Sequence, residues 1–222
     1  MPLGFDMVLK DFQCRVSIEK YDQFSAEQLR WNALETQAGF VAQCGGRSSD
    51  DPTRVQIFGV WTDLDSYHRF MSEAHDPIFE EGSQGDCYCD AQSVIYERVI
   101  DIPGDEGDLV SALGRDASMI GVARCMVHPS RTEHFIEMQE NVWKPGMELS
   151  AGMLGGSFWR SMDEGNRFIQ TIAWALMEDH ERYCQEQLPN LRQRAKPEHD
   201  LHKPVGSQIL LTPAWTVSRS TD

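Results

Sequence analysis

The chain has 222 residues, enough for one large domain or two of about 100 residues each. Hydrophobic residues at 41% and charged residues at 25% are ordinary globular proportions, which excludes global disorder. A formal charge of -15 repels phosphate backbones and anionic lipid surfaces, so a general nucleic-acid binder and a membrane-surface protein are excluded.

The first segment, Met1 to Phe12, carries Asp6, Lys10 and Asp11 and has no apolar run, so it does not read as a secretory signal. Asp11 to Ile18 alternates as a strand, with Phe12, Cys14 and Val16 on one face and Gln13, Arg15 and Ser17 on the other. Glu19 to Gln37 is helical in composition and ends at Gly39. Phe40 to Cys44 and Arg54 to Trp61 are β-rich, and the turn residues between them, Gly45 to Pro52, predict a hairpin. Leu64 to Phe79 carries an apolar stripe at helical spacing, with Asp63 or Asp65 available as N-cap. Ala91 to Ile102 closes the unit as a strand.

Asp101 to Ser118 is rich in Gly and Asp and reads as a linker. The second half repeats the order. A strand is predicted over Met119–His128, a helix from Arg131 to Trp143 shortened by Pro145, and strands over Met153–Arg160 and Arg167–Trp174. A helix from Met177 to Arg194 with a break at Pro189 and a strand over Ser207–Val217 complete it. The halves also align residue by residue. Ala38–Glu73 set against Ala151–Glu186, a shift of 113 without a gap, gives nine identities in 36 positions, among them Trp61 with Trp174. Repeat 1 is therefore assigned to 1–104, the linker to 105–118 and repeat 2 to 119–222. The fold class is α+β, with two tandem ferredoxin-like β-α-β-β-α-β repeats packed sheet to sheet as an intrachain barrel.

This repeat order, Trp61 before Thr62-Asp63-Leu64-Asp65-Ser66-Tyr67, and Trp174 before Ala175-Leu176-Met177-Glu178-Asp179 resemble the dimeric α+β barrel superfamily, which includes the antibiotic-biosynthesis monooxygenases. Gly39-Phe40-Val41-Ala42-Gln43-Cys44-Gly45-Gly46 and His75-Asp76-Pro77-Ile78-Phe79 resemble the YdbC-like bacterial proteins of unknown function. The resemblance implies a small-molecule enzyme of the cofactor-independent monooxygenase or isomerase kind, acting on a polar or aromatic metabolite between the sheets. A non-catalytic binding protein and a haem-binding barrel are the alternatives. The haem-degrading members' Trp and His fall here on Phe70 and Glu80.

The site expectations follow from both sources. The resemblance implies Trp61 and Trp174 as cavity walls. His75 is the candidate acid or base, since an imidazole titrates near neutrality, and repeat 2 has Leu188 in its place. Arg15, Arg124, Gln13, Gln56 and Arg98 are the candidate substrate-binding groups, because they interrupt strands on the face opposite the apolar set. No metal site is expected: His199-x-x-His202 sits in a charged loop, and Cys87-x-Cys89 has no second pair. No cofactor is expected. The six scattered cysteines fit a reduced, cytoplasmic protein, a monomer or homodimer whose partner is a small molecule.

Overall fold

A computed structural model describes residues 7–113, 117–202 and 204–219. The chain divides into two compact units. Unit 1 comprises Met1–Glu97 with Ile209–Asp222, and unit 2 comprises Arg98–Gln208.

Unit 1 begins with β1 (Val8–Val16) and α1 (Tyr21–Gln28), followed by a 3-10 segment Leu29–Thr36. Strands β2 (Phe40–Ser48) and β3 (Arg54–Trp61) form an antiparallel hairpin. Helix α2 (Leu64–Phe70), a π-turn Met71–His75 and α3 (Asp76–Glu80) come next, and β4 (Tyr88–Pro103) pairs with β1. The order is therefore β4–β1–β3–β2, with the end of β8 (Val205–Leu211) and β9 (Val217–Ser218) on the outer edge of β2. The strand period of two puts Val8, Lys10, Phe12, Cys14 and Val16 on the helix-facing side of β1. There Val8 joins Leu34, Phe40, Trp61, Tyr67 and Phe70 in one apolar cluster, while Cys14 and Val16 join Phe24, Val55, Ile57, Cys87 and Trp215 in a second.

Unit 2 repeats the order with β5 (Met119–Met126), α5 (Thr132–Met138), a π-turn Gln139–Trp143, α6 (Lys144–Met147), β6 (Met153–Ser161), β7 (Arg167–Trp174), α7 (Met177–Glu186) and α8 (Leu188–Ala195). Its strand order is β4–β6–β7–β5–β8. Registers correspond between units: Trp61 pairs with Val8 and Phe40, and Trp174 pairs with Met119 and Met153. Gly39 (φ 78°) and Gly152 (φ 77°) occupy the left-handed region before β2 and β6, where glycine alone is unstrained. A Cβ on Gly39 would lie 2.3 Å from Ser66, and one on Gly152 2.3 Å from Asp179.

Local findings differ from the sequence expectation. The predicted linker contains a short helix, α4 (Leu109–Leu113), whose Leu109, Ala112 and Leu113 are buried; residues 114–116 lie outside the described set. Pro145 does not end its helix, which runs on through α6. Instead, Pro77 and Pro145 each sit two residues beyond a π-turn. Their missing N–H and ring bulk at the preceding carbonyls widen the helix rather than stop it. Strands β4 and β8 each contribute residues to both units. The break expected at Pro189 appears at Gln187, between α7 and α8. Among the described residues no helix is long and apolar enough to cross a membrane.

Candidate active site

Each unit holds a cavity between its own sheet and the helices covering it. In unit 1 the cavity measures about 400 Å³, the size of sites that enclose small organic molecules. The sheet floor contributes Lys10 and Phe12 from β1, Gln43 from β2 and Gly59 and Trp61 from β3; the helical side contributes Trp31, Phe70 and His75.

The local sequence explains the shape. Lys10 pairs directly with Gly59, and the missing side chain there leaves open space beside Trp61: a Cβ on Gly59 would meet nothing nearer than Trp61 Nε1 at 3.8 Å. Trp61 is 2% exposed and is held by Phe40, Tyr67 and Phe70 at ring separations of 5.4, 6.0 and 4.9 Å. Asp63 caps α2 by accepting from the Ser66 amide at 2.7 Å, and these hydrogen bonds hold its carboxyl below the usual range. The π-turn then brings His75 onto the cavity wall, packed on Trp31 (5.4 Å), Phe70 (5.8 Å) and Phe79 (6.0 Å). His75 Nδ1 lies 2.9 Å from Asp76 Oδ1. With that nitrogen donating to Asp76, Nε2 keeps its lone pair for proton transfer. At the rim, Trp31 Nε1 donates to Gln84 Oε1 (2.8 Å) and Gln84 Nε2 to Gln28 Oε1 (2.7 Å), a chain that fixes all three side chains.

Two groups in this wall escaped the sequence reading. Lys10 is half-buried because part of it faces the cavity. The atoms crowded round its ammonium push its pKa from 10.5 down to about 8, and its Nζ lies 5.9 Å from the Phe12 ring centroid. Gln43 is 6% exposed, and its Nε2 is buried without a hydrogen-bond partner. The signal for Lys10 was its phase: a lysine on the same strand face as Phe12 and Cys14 interrupts an apolar stripe as clearly as the arginines interrupt the other face.

The remaining expected residues lie outside this cavity. Trp174 lines the unit 2 cavity, of about 430 Å³, with Gly121, Trp143, His180 and Tyr183. Burial lowers the His180 pKa and raises that of Tyr183, so each stays neutral at physiological pH. Arg15 points from the opposite face of β1 to Asp51 (3.1 Å) and Thr53 (3.0 Å) and is 42% exposed. Gln13 and Gln56 both donate to the buried carboxylate of Asp11, at 2.9 and 2.6 Å. Arg98 pairs with Asp101 at 3.2 Å, and Arg124 Nη1 lies 3.5 Å from Ser207 Oγ. The structure thus brings Trp61 and His75 together. The period of two separates them from Arg15, Gln13 and Gln56. Near the His199-x-x-His202 pair, His202 packs on His128, and Asp200 is taken by Arg131 and His134. Among the described residues, no three His, Cys, Asp or Glu side chains gather in a metal-holding group.

The fold defines a class. The chain superposes with TM-score 0.74 on a putative monooxygenase of Lactobacillus acidophilus NCFM, at 9% identity, over 96% of this chain and 97% of that one. It superposes with TM-score 0.72 on an anthrone oxidase-like protein, at 14% identity, over 99% and 95% of the two chains. These likenesses show the fold, which is that of the dimeric α+β barrel proteins. The chain belongs to the DUF4937 family, a domain of unknown function, whose model matches residues 8–96. It is 32% identical over 93 residues to the uncharacterized protein YdbC of Bacillus subtilis (strain 168), covering 41% of this chain and 78% of YdbC.

Proposed function

We propose that the chain is a small-molecule enzyme acting on an aromatic metabolite in the unit 1 cavity, of the kind that uses dioxygen without a cofactor. The observation that carries this reading is the cavity itself. An aromatic-walled space of about 400 Å³ holds an imidazole oriented by a carboxylate, and every lining residue, from Lys10 to Ser93, falls within the matched segment 8–96.

The chemistry follows from the walls. Dioxygen without a cofactor takes electrons from an electron-rich substrate anion. The site therefore has to remove a proton from the substrate and exclude water while the anion reacts. His75 Nε2 is the proton acceptor in this reading, Trp61 and Trp31 are flat walls for an aromatic ring, and Phe12, Phe40 and Phe70 exclude water. In the balanced overall step, a ring-flanked CH2 plus O2 gives a C=O plus water: four electrons leave the carbon and both oxygen atoms are reduced. In unit 2 the positions of Lys10 and His75 are Gly121 and Leu188, so the cavity lined by Trp174 lacks both groups.

The test is oxygen uptake with a panel of hydroquinones and anthrones. His75→Ala is expected to lower kcat by about 100-fold or more, the usual share of a general base. Gly59→Ile, which puts a branched side chain into the open space between Lys10 and Trp61, is expected to abolish turnover by blocking that part of the cavity. No uptake with any compound, alongside retained ligand binding, would replace the enzyme by a binding protein.

A further inference from the structure

The unit 1 cavity contains a charge without a counter-charge. Its lining holds one ammonium, Lys10, and no Asp or Glu. Lys10 Nζ has no ion pair among the described residues; its one recorded partner is the Phe12 ring. A second hydrogen-bond donor, Gln43 Nε2, is buried in the same wall with nothing to receive it. Buried polar groups are normally satisfied, and a buried charge is normally paired. Here both unmet needs are for an acceptor, and they adjoin one cavity whose other walls are aromatic.

We infer that the cavity takes a planar aromatic monoanion, with its negative oxygen met by the Lys10 ammonium and the Gln43 carboxamide and its ring held between Trp61 and Trp31. This deepens the function proposed above by naming the charge class of its substrate, and it rests on that reading for the location of the site. A ligand oxyanion completes the pairing that the fold omits, and charge-assisted hydrogen bonds are stronger and shorter than neutral ones. The chain's overall charge of -15 opposes approach of an anion, but solvent ions screen that field beyond about 8 Å, whereas the buried contact with Lys10 is screened little. The other titratable groups lining the cavity are His75, Tyr67 and Tyr88. Burial holds both tyrosine hydroxyls protonated through neutral pH, so neither competes with the ligand as an anion beside Lys10.

The experiment is equilibrium binding by calorimetry, without oxygen, of 2-naphthoate, 2-naphthylmethanol and 2-naphthylmethylammonium, which share one ring system and differ in charge. In the intact chain at pH 7, 2-naphthoate is expected to bind at one site per chain, at least tenfold more tightly than the alcohol, and the ammonium least tightly. Lys10→Met should erase the preference for naphthoate over the alcohol, Lys10→Arg should keep most of it, and Gly59→Ile should remove both ligands. If Lys10→Met does not fold, the intact chain decides the question: naphthoate affinity should fall as pH rises past the titration of Lys10 in the complex, with alcohol affinity unchanged. Equal binding of naphthoate and alcohol, no binding of naphthoate, or a preference that survives Lys10→Met or Gly59→Ile would overturn the inference. Failure of the oxygenase reading looks different, because oxygen uptake would be absent while Lys10-dependent naphthoate binding remained.

Discussion

Replacing Lys10 by Met should make the protein more stable while removing its preference for anions. The folded-state pKa of Lys10 is lowered from 10.5 to about 8 by desolvation, so the folded chain binds the proton less readily than the unfolded chain does. The sign follows from linkage. Between about 8 and 10.5 the unfolded state holds more protons, so stability of the natural chain rises with pH across that window. Below it the full cost of the buried charge is present. At ~1.4 kcal/mol per pH unit this displacement corresponds to about 3 kcal/mol, and water reaching the cavity reduces the realised figure to about 2 kcal/mol. Methionine keeps the unbranched stem and its packing against Phe12 without the charge. Urea unfolding followed through tryptophan fluorescence, on both chains at pH 7 and pH 10, reads the effect as a difference between midpoints. Lys10→Met should unfold at higher urea at pH 7, and the gap should shrink at pH 10. A variant less stable at pH 7, or a gap independent of pH, would refute the argument that this ammonium is buried without a partner.

The cysteines should separate by burial. Thiol titration in denaturant should find all six, whereas in the native protein at pH 8 the exposed Cys89 should react first, and Cys14, Cys44 and Cys125, each pushed up to about 12, should stay silent. Asp63→Ala should cost about 1 kcal/mol at pH 7 through loss of the α2 cap. Because the Asp63 pKa is lowered in the folded state, that cost should fade as pH falls through it, read as converging thermal midpoints in acid. Trp215→Ala should destabilise unit 1 by about 3–5 kcal/mol. Trp215 is 1% exposed, packs on Phe24 and Tyr21 at 5.5 and 5.8 Å, and donates to Ser25 Oγ at 3.0 Å. Hydrogen exchange of α1 amides reads that loss directly.

Much of the fold was legible because it is written in short-range periods. The alternation from Phe12 to Ser17 gave the correct faces of β1, and Gly39, Asp63 and Pro189 each marked a boundary that the structure respects. The site was less legible, because its partnerships are long-range. Arg15 interrupts a strand face as a ligand-binding arginine would, but Asp51, from the turn before β3, satisfies it, and strand phase carries no trace of that turn. Gln13 and Gln56 are bound by Asp11, which charge counting treats as surface. Lys10 stands out by its phase, on the face of β1 that carries Phe12 and Cys14, but the open space beside it arises only where β3 places Gly59 opposite. The π-turn that presents His75 lies inside a stretch, Leu64 to Phe79, that reads in sequence as one regular helix, because apolar spacing carries no sign of a local widening ahead of Pro77.

The division of the units has a consequence for synthesis. Unit 1 is threaded from two distant stretches: the outer edge of β2 is paired by Ile209–Leu211 and by Val217–Ser218, and Trp215 closes the cluster around Phe24. A ribosome delivers those residues after all of Arg98–Gln208. The N-terminal half therefore waits, with one strand edge unpaired and one aromatic cluster uncovered, while unit 2 emerges, which inverts the usual N-terminal-first order. Val8, Phe40 and Trp61 can gather early, but the hydrogen-bonded rim of the same unit is completed by the late-arriving segment. A premature stop anywhere after Gln208 would leave unit 2 whole and impair the unit that carries Lys10 and His75.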